Sequence, residues 1–235
     1  MKTNTHTAQQ LPQMSGKMKV AALIDLNYRL LGVLTRLGMK LGFGESTVSD
    51  LCNRYNVDET TFLLLCRVYT FKGYRPSDDI LDRINAEDLL KYLKLSHKWY
   101  TDTALTTLEE HLQRILSRGQ DRSREIIWEF FTGYKRELER HFEFEEQNVF
   151  PYVKTLAANR TSRHDALSDV HGDIDEKIDD LKNIVMKYLP DDCDGGEVME
   201  TVSFIYNLRD DLLRHESIED NVLMPLIRRM EGSAK

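Results

Sequence analysis

A chain of 235 residues, 41% of them hydrophobic and 30% charged, is long enough to bury one or two cores and too apolar to be a disordered tail. Its longest apolar run, residues 62–66, falls far short of the roughly 20 residues a membrane span needs, and residues 1–16 are polar without a signal-peptide core, so neither membrane insertion nor export is expected. The net charge of -7 is uneven, with 11 basic and 8 acidic side chains in residues 1–86 but 21 and 31 in residues 87–235, a balance that excludes a general nucleic-acid partner for the second part.

In chain order, residues 1–16 read as a disordered leader. Residues 17–72 read as a small helical domain of short amphipathic helices broken at Gly38, Gly42 and Gly44. Within it, Cys52 and Cys66 read as buried helix residues. With Cys193 they make no CxxC pair and no even-numbered framework, which fits a reducing compartment and a cytoplasmic location. Residues 73–86, around Tyr74-Arg75-Pro76-Ser77, read as a linker. From 87 to 231 come four long periodic stretches, 87–117, 122–158, 163–188 and 197–230, with apolar residues three and four apart and no strand alternation. Ile127, Phe131, Tyr134, Leu138, His141 and Glu145 share a face of the second; Val198, Thr201, Ile205, Leu208, Leu212, His215 and Glu219 share one of the fourth. The expected fold is all-α: an up-down-up-down four-helix bundle after a small helical N-terminal domain.

The bundle carries an internal repeat. His97, His141, Glu145 and Pro151 recur as His171, His215, Glu219 and Pro225 at one offset of 74 residues. The two helix ends read HFEFEEQNVFP (141–151) and HESIEDNVLMP (215–225), each with a His and a Glu four residues apart and therefore on one face. His97 and His141 each lie 22 residues from Gly119, and His171 and His215 each lie 22 residues from Cys193. In antiparallel hairpins equal distance from the turn means equal height, about 33 Å from it at helical rise, so the four His and two Glu are expected in one layer.

Burying six polar groups costs several kcal/mol unless something pairs with them, and no basic residue shares their face. A metal meets that demand; imidazole with carboxylate suits iron, with zinc and manganese as competitors. A single HxxxE is more simply a solvated helix surface, but the duplicated register reverses that preference. Glu146 and Asp220 read as solvated or as outer partners of the ligands; His6, His111 and His164 have no repeat counterparts and read as non-ligands; Tyr134 reads as a core aromatic.

At these residues the sequence resembles the hemerythrin-like, HHE cation-binding family, and its bipartite layout resembles the repair of iron centres proteins of the YtfE/ScdA type. The resemblance implies a non-haem centre of two iron ions, oxo- and carboxylate-bridged, on His97, His141, Glu145, His171, His215 and Glu219. It implies a stress-response role in repairing iron–sulfur clusters damaged by nitric oxide or oxidants, with iron, nitric oxide or oxygen, and damaged iron–sulfur proteins as partners. The alternative is a sensor of oxygen, nitric oxide or iron that signals through its N-terminal domain. Oligomeric state stays open, a homodimer included. Asp175 stands where oxygen carriers have a fifth His, so oxidation or iron loss is expected in place of reversible oxygenation. The N-terminal part resembles the family's ScdA-type domain, but Gly42 and Phe43 occupy the place of its cysteine pair. An exposed Phe43 would offer a docking anchor, with packing against the bundle as its alternative, and the helix-turn-helix-like stretch 47–69 is too nearly neutral to read DNA.

Overall fold

Capping side chains start five of the helices. The structure, a computed structural model, describes residues 14–117, 121–158 and 174–233. Its helices are α1 (Val20–Leu26), α2 (Leu30–Arg36), α3 (Val48–Tyr55), α4 (Glu59–Thr70), α5 (Asp78–Leu81), α6 (Ala86–Trp99), α7 (Leu105–Leu116), α8 (Arg122–Phe144), α9 (Phe150–Ala157), α10 (Ile174–Tyr188), α11 (Gly195–Ile218) and α12 (Met224–Ser233). Asp58, Asn85, Asp121 and Asp194 each accept hydrogen bonds from first-turn amides of α4, α6, α8 and α11, and Thr47 with Asp50 closes a capping box on α3. No strand occurs among the described residues, and no described helix is long and apolar enough to cross a membrane.

The chain folds as a helical bundle in which α7 packs on α8 and α11, and α10 packs on the same two helices. Tyr100, Leu108, Ile127, Phe131, Leu138, Ile178, Leu181, Ile205 and Leu208 fill its interior, each at most 2% exposed. Three helix pairs, α6 with α7, α8 with α9 and α11 with α12, are continuous through five-residue π-helical turns at Tyr100–Ala104, Glu145–Val149 and Glu219–Leu223. The expected four long stretches ran through these points as plain α-helix.

A second core joins the N-terminal helices to one end of the bundle. Leu23, Val33, Leu51, Phe62 and Leu65 pack in one cluster with Leu89, Leu93, Val153, Val222 and Ile227. The segment 73–86, expected as a linker, takes part: it carries α5, buries Leu81, and packs Tyr74, Ile80 and Ile84 on the cluster. Arg229 on α12 pairs with Asp82 at 2.6 Å and Asp78 at 2.9 Å across it. Of the expected leader, Met14 is buried and Arg67 donates to its carbonyl at 2.9 Å, so packing begins before residue 17; residues 1–13 lie outside the described residues. Apolar residues spaced too sparsely to form a core of their own joined one that the N-terminal helices share with the bundle end, which composition along the chain does not reveal.

Two N-terminal expectations find a physical resolution. Helix α4 is buried from Thr61 to Cys66 and again at Val68 and Tyr69, so the second helix of the helix-turn-helix-like stretch has no free face to lay in a groove. Gly42 and Gly44 both adopt positive φ (86° and 57°), and the bend between them folds Phe43 onto the core, the packed one of the two expected placements.

Candidate metal centre

Each expected site residue among the described residues sits at or beside a π-helical turn. His97 lies in the last turn of α6, three residues before Tyr100; His141 and His215 lie in the last turns of α8 and α11; Glu145 and Glu219 are the first residues of the turns that follow. His97, Glu145, His215 and Glu219 are buried and bring ligand atoms within 4.8 Å of one another. His97 Nε2 is 3.0 Å from His215 Nε2, 3.3 Å from Glu145 Oε2 and 3.9 Å from Glu219 Oε1. His215 Nε2 is 3.0 Å from Glu219 Oε1. His141 joins the rim with its Nε2 3.5 Å from Glu145 Oε1. Five of the six expected residues thus converge; His171 lies outside the described residues, as does the Asp175 side chain.

The π turns explain how a helix can aim a whole run of residues inward. In α-helix, steps of four overshoot a turn by about 40° each, so a row at i, i+4, i+8 drifts off the core. Glu145, Val149 and Val153 form such a row, as do Glu219, Leu223 and Ile227 at the 74-residue offset, and all six are buried. One extra residue per turn cancels the drift: the amide of Phe150 reaches the carbonyl of Glu145, and that of Met224 reaches Glu219. Pro151 and Pro225 follow directly, and a proline that lacks its N–H and crowds the preceding turn is accommodated where the ladder has already shifted. The repeated four-residue steps before and around these prolines were the unread signal in the sequence.

The donor set fits a metal cation. Glu145 Oε2, Glu219 Oε1 and His215 Nδ1 are buried without a hydrogen-bond partner, although imidazole nitrogens stand 3.0 and 3.3 Å from the two carboxylate oxygens. Ligand atoms from four buried residues that lie within 4.8 Å of one another point at a shared position. Imidazoles with carboxylates are a donor set for iron, zinc or manganese, and a cation there would compensate two buried carboxylates. Aromatic walls hold the rings: His97 stacks on Phe142 (4.2 Å between centroids, 13° between planes) and on Phe150 (5.4 Å, 20°), and Tyr100 meets the His215 ring edge-on at 5.4 Å.

Protons compete for the same atoms. Burial alone would lower the His97 pKa, but the close approach of Glu145 and Glu219 outweighs it and raises the value from 6.5 to about 9. Burial would raise Glu219, but His215 and His97 hold it well below the usual carboxylate range. In metal-free protein the raised His97 contributes stability that is complete below about pH 6.5 and lost as pH rises through about 9; the depressed Glu219 contributes above about pH 4.5 and loses it as pH falls through its lowered value. Chelator-treated protein should therefore lose thermal stability between pH 6.5 and 9, and His97→Gln should flatten that decline. An equally steep decline in the variant would remove His97 as its cause.

Other groups sort clearly. His111, expected as a non-ligand, is buried against Phe204 at 5.2 Å and stands 3.8 Å from Glu200, well along α7 from the cluster; His6 and His164 lie outside the described residues. Tyr134 is a core residue of the bundle. Sequence reasoning did not single out Tyr100, whose hydroxyl donates to Asp211 Oδ2 at 2.5 Å, or Arg36, which pairs with the same carboxylate from α2. Nothing in the repeat marks them, because neither has a counterpart at offset 74.

The hemerythrin HHE cation binding domain model matches residues 88–227. Similar relatives include the iron-sulfur cluster repair protein YtfE of Salmonella choleraesuis (strain SC-B67), 25% identical over 193 residues that cover 77% of this chain and 83% of the relative. The proteins of the same name from Salmonella paratyphi B (strain ATCC BAA-1250 / SPB7) and Salmonella newport (strain SL254) are each 29% identical over the same spans. Since the matched region holds both HxxxE pairs and covers more than half of its length, the chain belongs to the hemerythrin HHE cation-binding family.

Proposed function

We propose that His97, His141, Glu145, His171, His215 and Glu219 hold two non-haem iron ions bridged by both carboxylates, and that the protein supports repair of iron–sulfur clusters damaged by nitric oxide or oxidants. The observation that carries the reading is the meeting of a duplicated HxxxE pair in one buried cluster, with ligand atoms of two His and two Glu within 4.8 Å of one another. His171 enters through the 74-residue repeat. The relatives named for iron–sulfur cluster repair support the role.

Bound iron would supply open coordination positions for small molecules such as nitric oxide or oxygen, and a store of iron for a client cluster. The chain's own groups prepare for this. Phe142 and Phe150 cover the faces of His97 and exclude water from them, while a cavity of about 580 Å³ between α6 and α8 leads from solvent to His97 and Phe142. The glutamates supply the negative charge that retains cations, and the imidazoles must shed protons to do so, which makes retention weaken in acid.

Restoration of a nitric-oxide-damaged cluster enzyme tests the role. Iron-loaded protein should restore its activity and metal-free protein should not; equal restoration by both would refute repair through bound iron. The sensor reading is favoured by one contact chain, in which His215 touches Tyr100, Tyr100 donates to Asp211, and Asp211 pairs with Arg36 among the N-terminal helices. It predicts that nitric oxide changes hydrogen exchange in α1 to α4 without restoring any client.

A further inference from the structure

Both nitrogens of His97 are engaged by consecutive residues of one π-helical turn. Nε2 faces the cluster, with Glu145 Oε2 at 3.3 Å, and Nδ1 points the other way, with Glu146 Oε1 at 3.3 Å. The second oxygen of Glu146 is 3.2 Å from Lys94 Nζ, one turn before His97 on α6. Glu146 thus stands behind the imidazole as seen from Glu145, Glu219 and His215, where it cannot share a cation with them. A lone imidazole can carry its proton on either nitrogen; an acceptor at Nδ1 keeps the proton there and leaves the Nε2 lone pair for the cluster.

We infer that Glu146 is a positioning residue of the metal centre, which accepts the Nδ1–H of His97, sets its tautomer and aims its Nε2, with Lys94 holding the carboxylate in place. The inference rests on the metal-centre reading above. It separates Glu146 from the other acids beside it: Glu143 lines the same cavity but accepts from Gln147 at 2.8 Å instead. The glutamate also combines with the Phe142 and Phe150 stacking, which fixes the ring plane, while the hydrogen bond fixes rotation within that plane.

Full-length wild type, Glu146→Ala, Glu146→Gln and Glu143→Ala test it with two readouts. In metal-free protein, nitrogen-edited NMR of the His97 ring should show a downfield Nδ1–H protected from solvent exchange, with that protection lost in Glu146→Ala and kept in Glu143→Ala. In protein loaded with Zn²⁺ as probe, transfer to a chelator should be about 10- to 100-fold faster for Glu146→Ala, less than tenfold faster for Glu146→Gln, whose amide oxygen still accepts, and within about twofold of wild type for Glu143→Ala. Equal melting temperatures of the metal-free forms would confirm that folding is not what changed. Zn²⁺ release from Glu146→Ala at the wild-type rate, or equal acceleration by Glu143→Ala, would overturn the inference while leaving the metal centre standing. A wild type that binds no metal but shows the Glu146-dependent protection of Nδ1–H would instead overturn the metal-centre reading and keep the Glu146–His97 pairing.

Discussion

Glu219→Ala and His215→Ala should each lower metal affinity by more than about 100-fold, beyond what loss of an outer hydrogen-bond partner costs. Each removes a group at the centre of the cluster, where His215 Nε2 and Glu219 Oε1 stand 3.0 Å apart and His97 approaches both. Elemental analysis after anaerobic purification should find about two iron atoms per wild-type chain, as a ligand set of four His and two Glu can serve, and far less than one in these variants. His111→Ala is the control, because His111 lies fourteen residues beyond His97 along the same helical run, roughly 20 Å away by helical rise. It should lose packing against Phe204 and keep its iron. Equal losses in His111→Ala and His215→Ala would mean that the buried cluster is not where the metal sits. His141→Ala belongs with the cluster variants, since its Nε2 stands 3.5 Å from Glu145.

Arg36→Ala should cost about 3–5 kcal/mol of stability, the range for breaking a buried ion pair by removing one partner. The guanidinium is almost fully buried, pairs with Asp211, and donates to Tyr69 Oη at 2.6 Å and Tyr92 Oη at 3.2 Å. It also lies over the rings of Trp99 (4.5 Å) and Tyr100 (5.0 Å). Truncation strands a carboxylate that Tyr100 alone would then serve, and leaves the two tyrosines without their shared cation. Urea denaturation measures the loss. Replacing both partners by apolar residues, Arg36→Met with Asp211→Leu, should cost much less, because no charge is left unpaired. A loss below about 1 kcal/mol in Arg36→Ala would show that this network does not tie α2 to the bundle. Since Tyr100 also borders His215, the same variant should loosen metal retention modestly, and less than any cluster variant does.

The amino-acid sequence by itself carried the helical class, the long periodic stretches and the duplicated His–Glu pattern, because each is written in local spacing. Steps of three and four specify a helix face wherever the helix ends up, and a duplicated His–Glu step at one offset specifies two equivalent faces. Height in a bundle follows from counting residues to the turns, which is why His97, His141 and His215 reach the same cluster that the spacing of 22 implied. What tertiary structure decided are matters of partnership. Whether residues 73–86 hang as a connector or pack depends on Leu81 and Ile84 finding the end of a bundle whose nearest residues are far along the chain. Whether Glu146 faces water or His97 depends on a π turn that moves it by a fraction of a helical turn, and on α6 lying opposite. Arg36 looks like any helix-ending cation until Asp211, 175 residues later, arrives beside it. Periodicity reports which side of an element is apolar; which atoms meet across two elements is set by packing, and packing is a property of the whole chain.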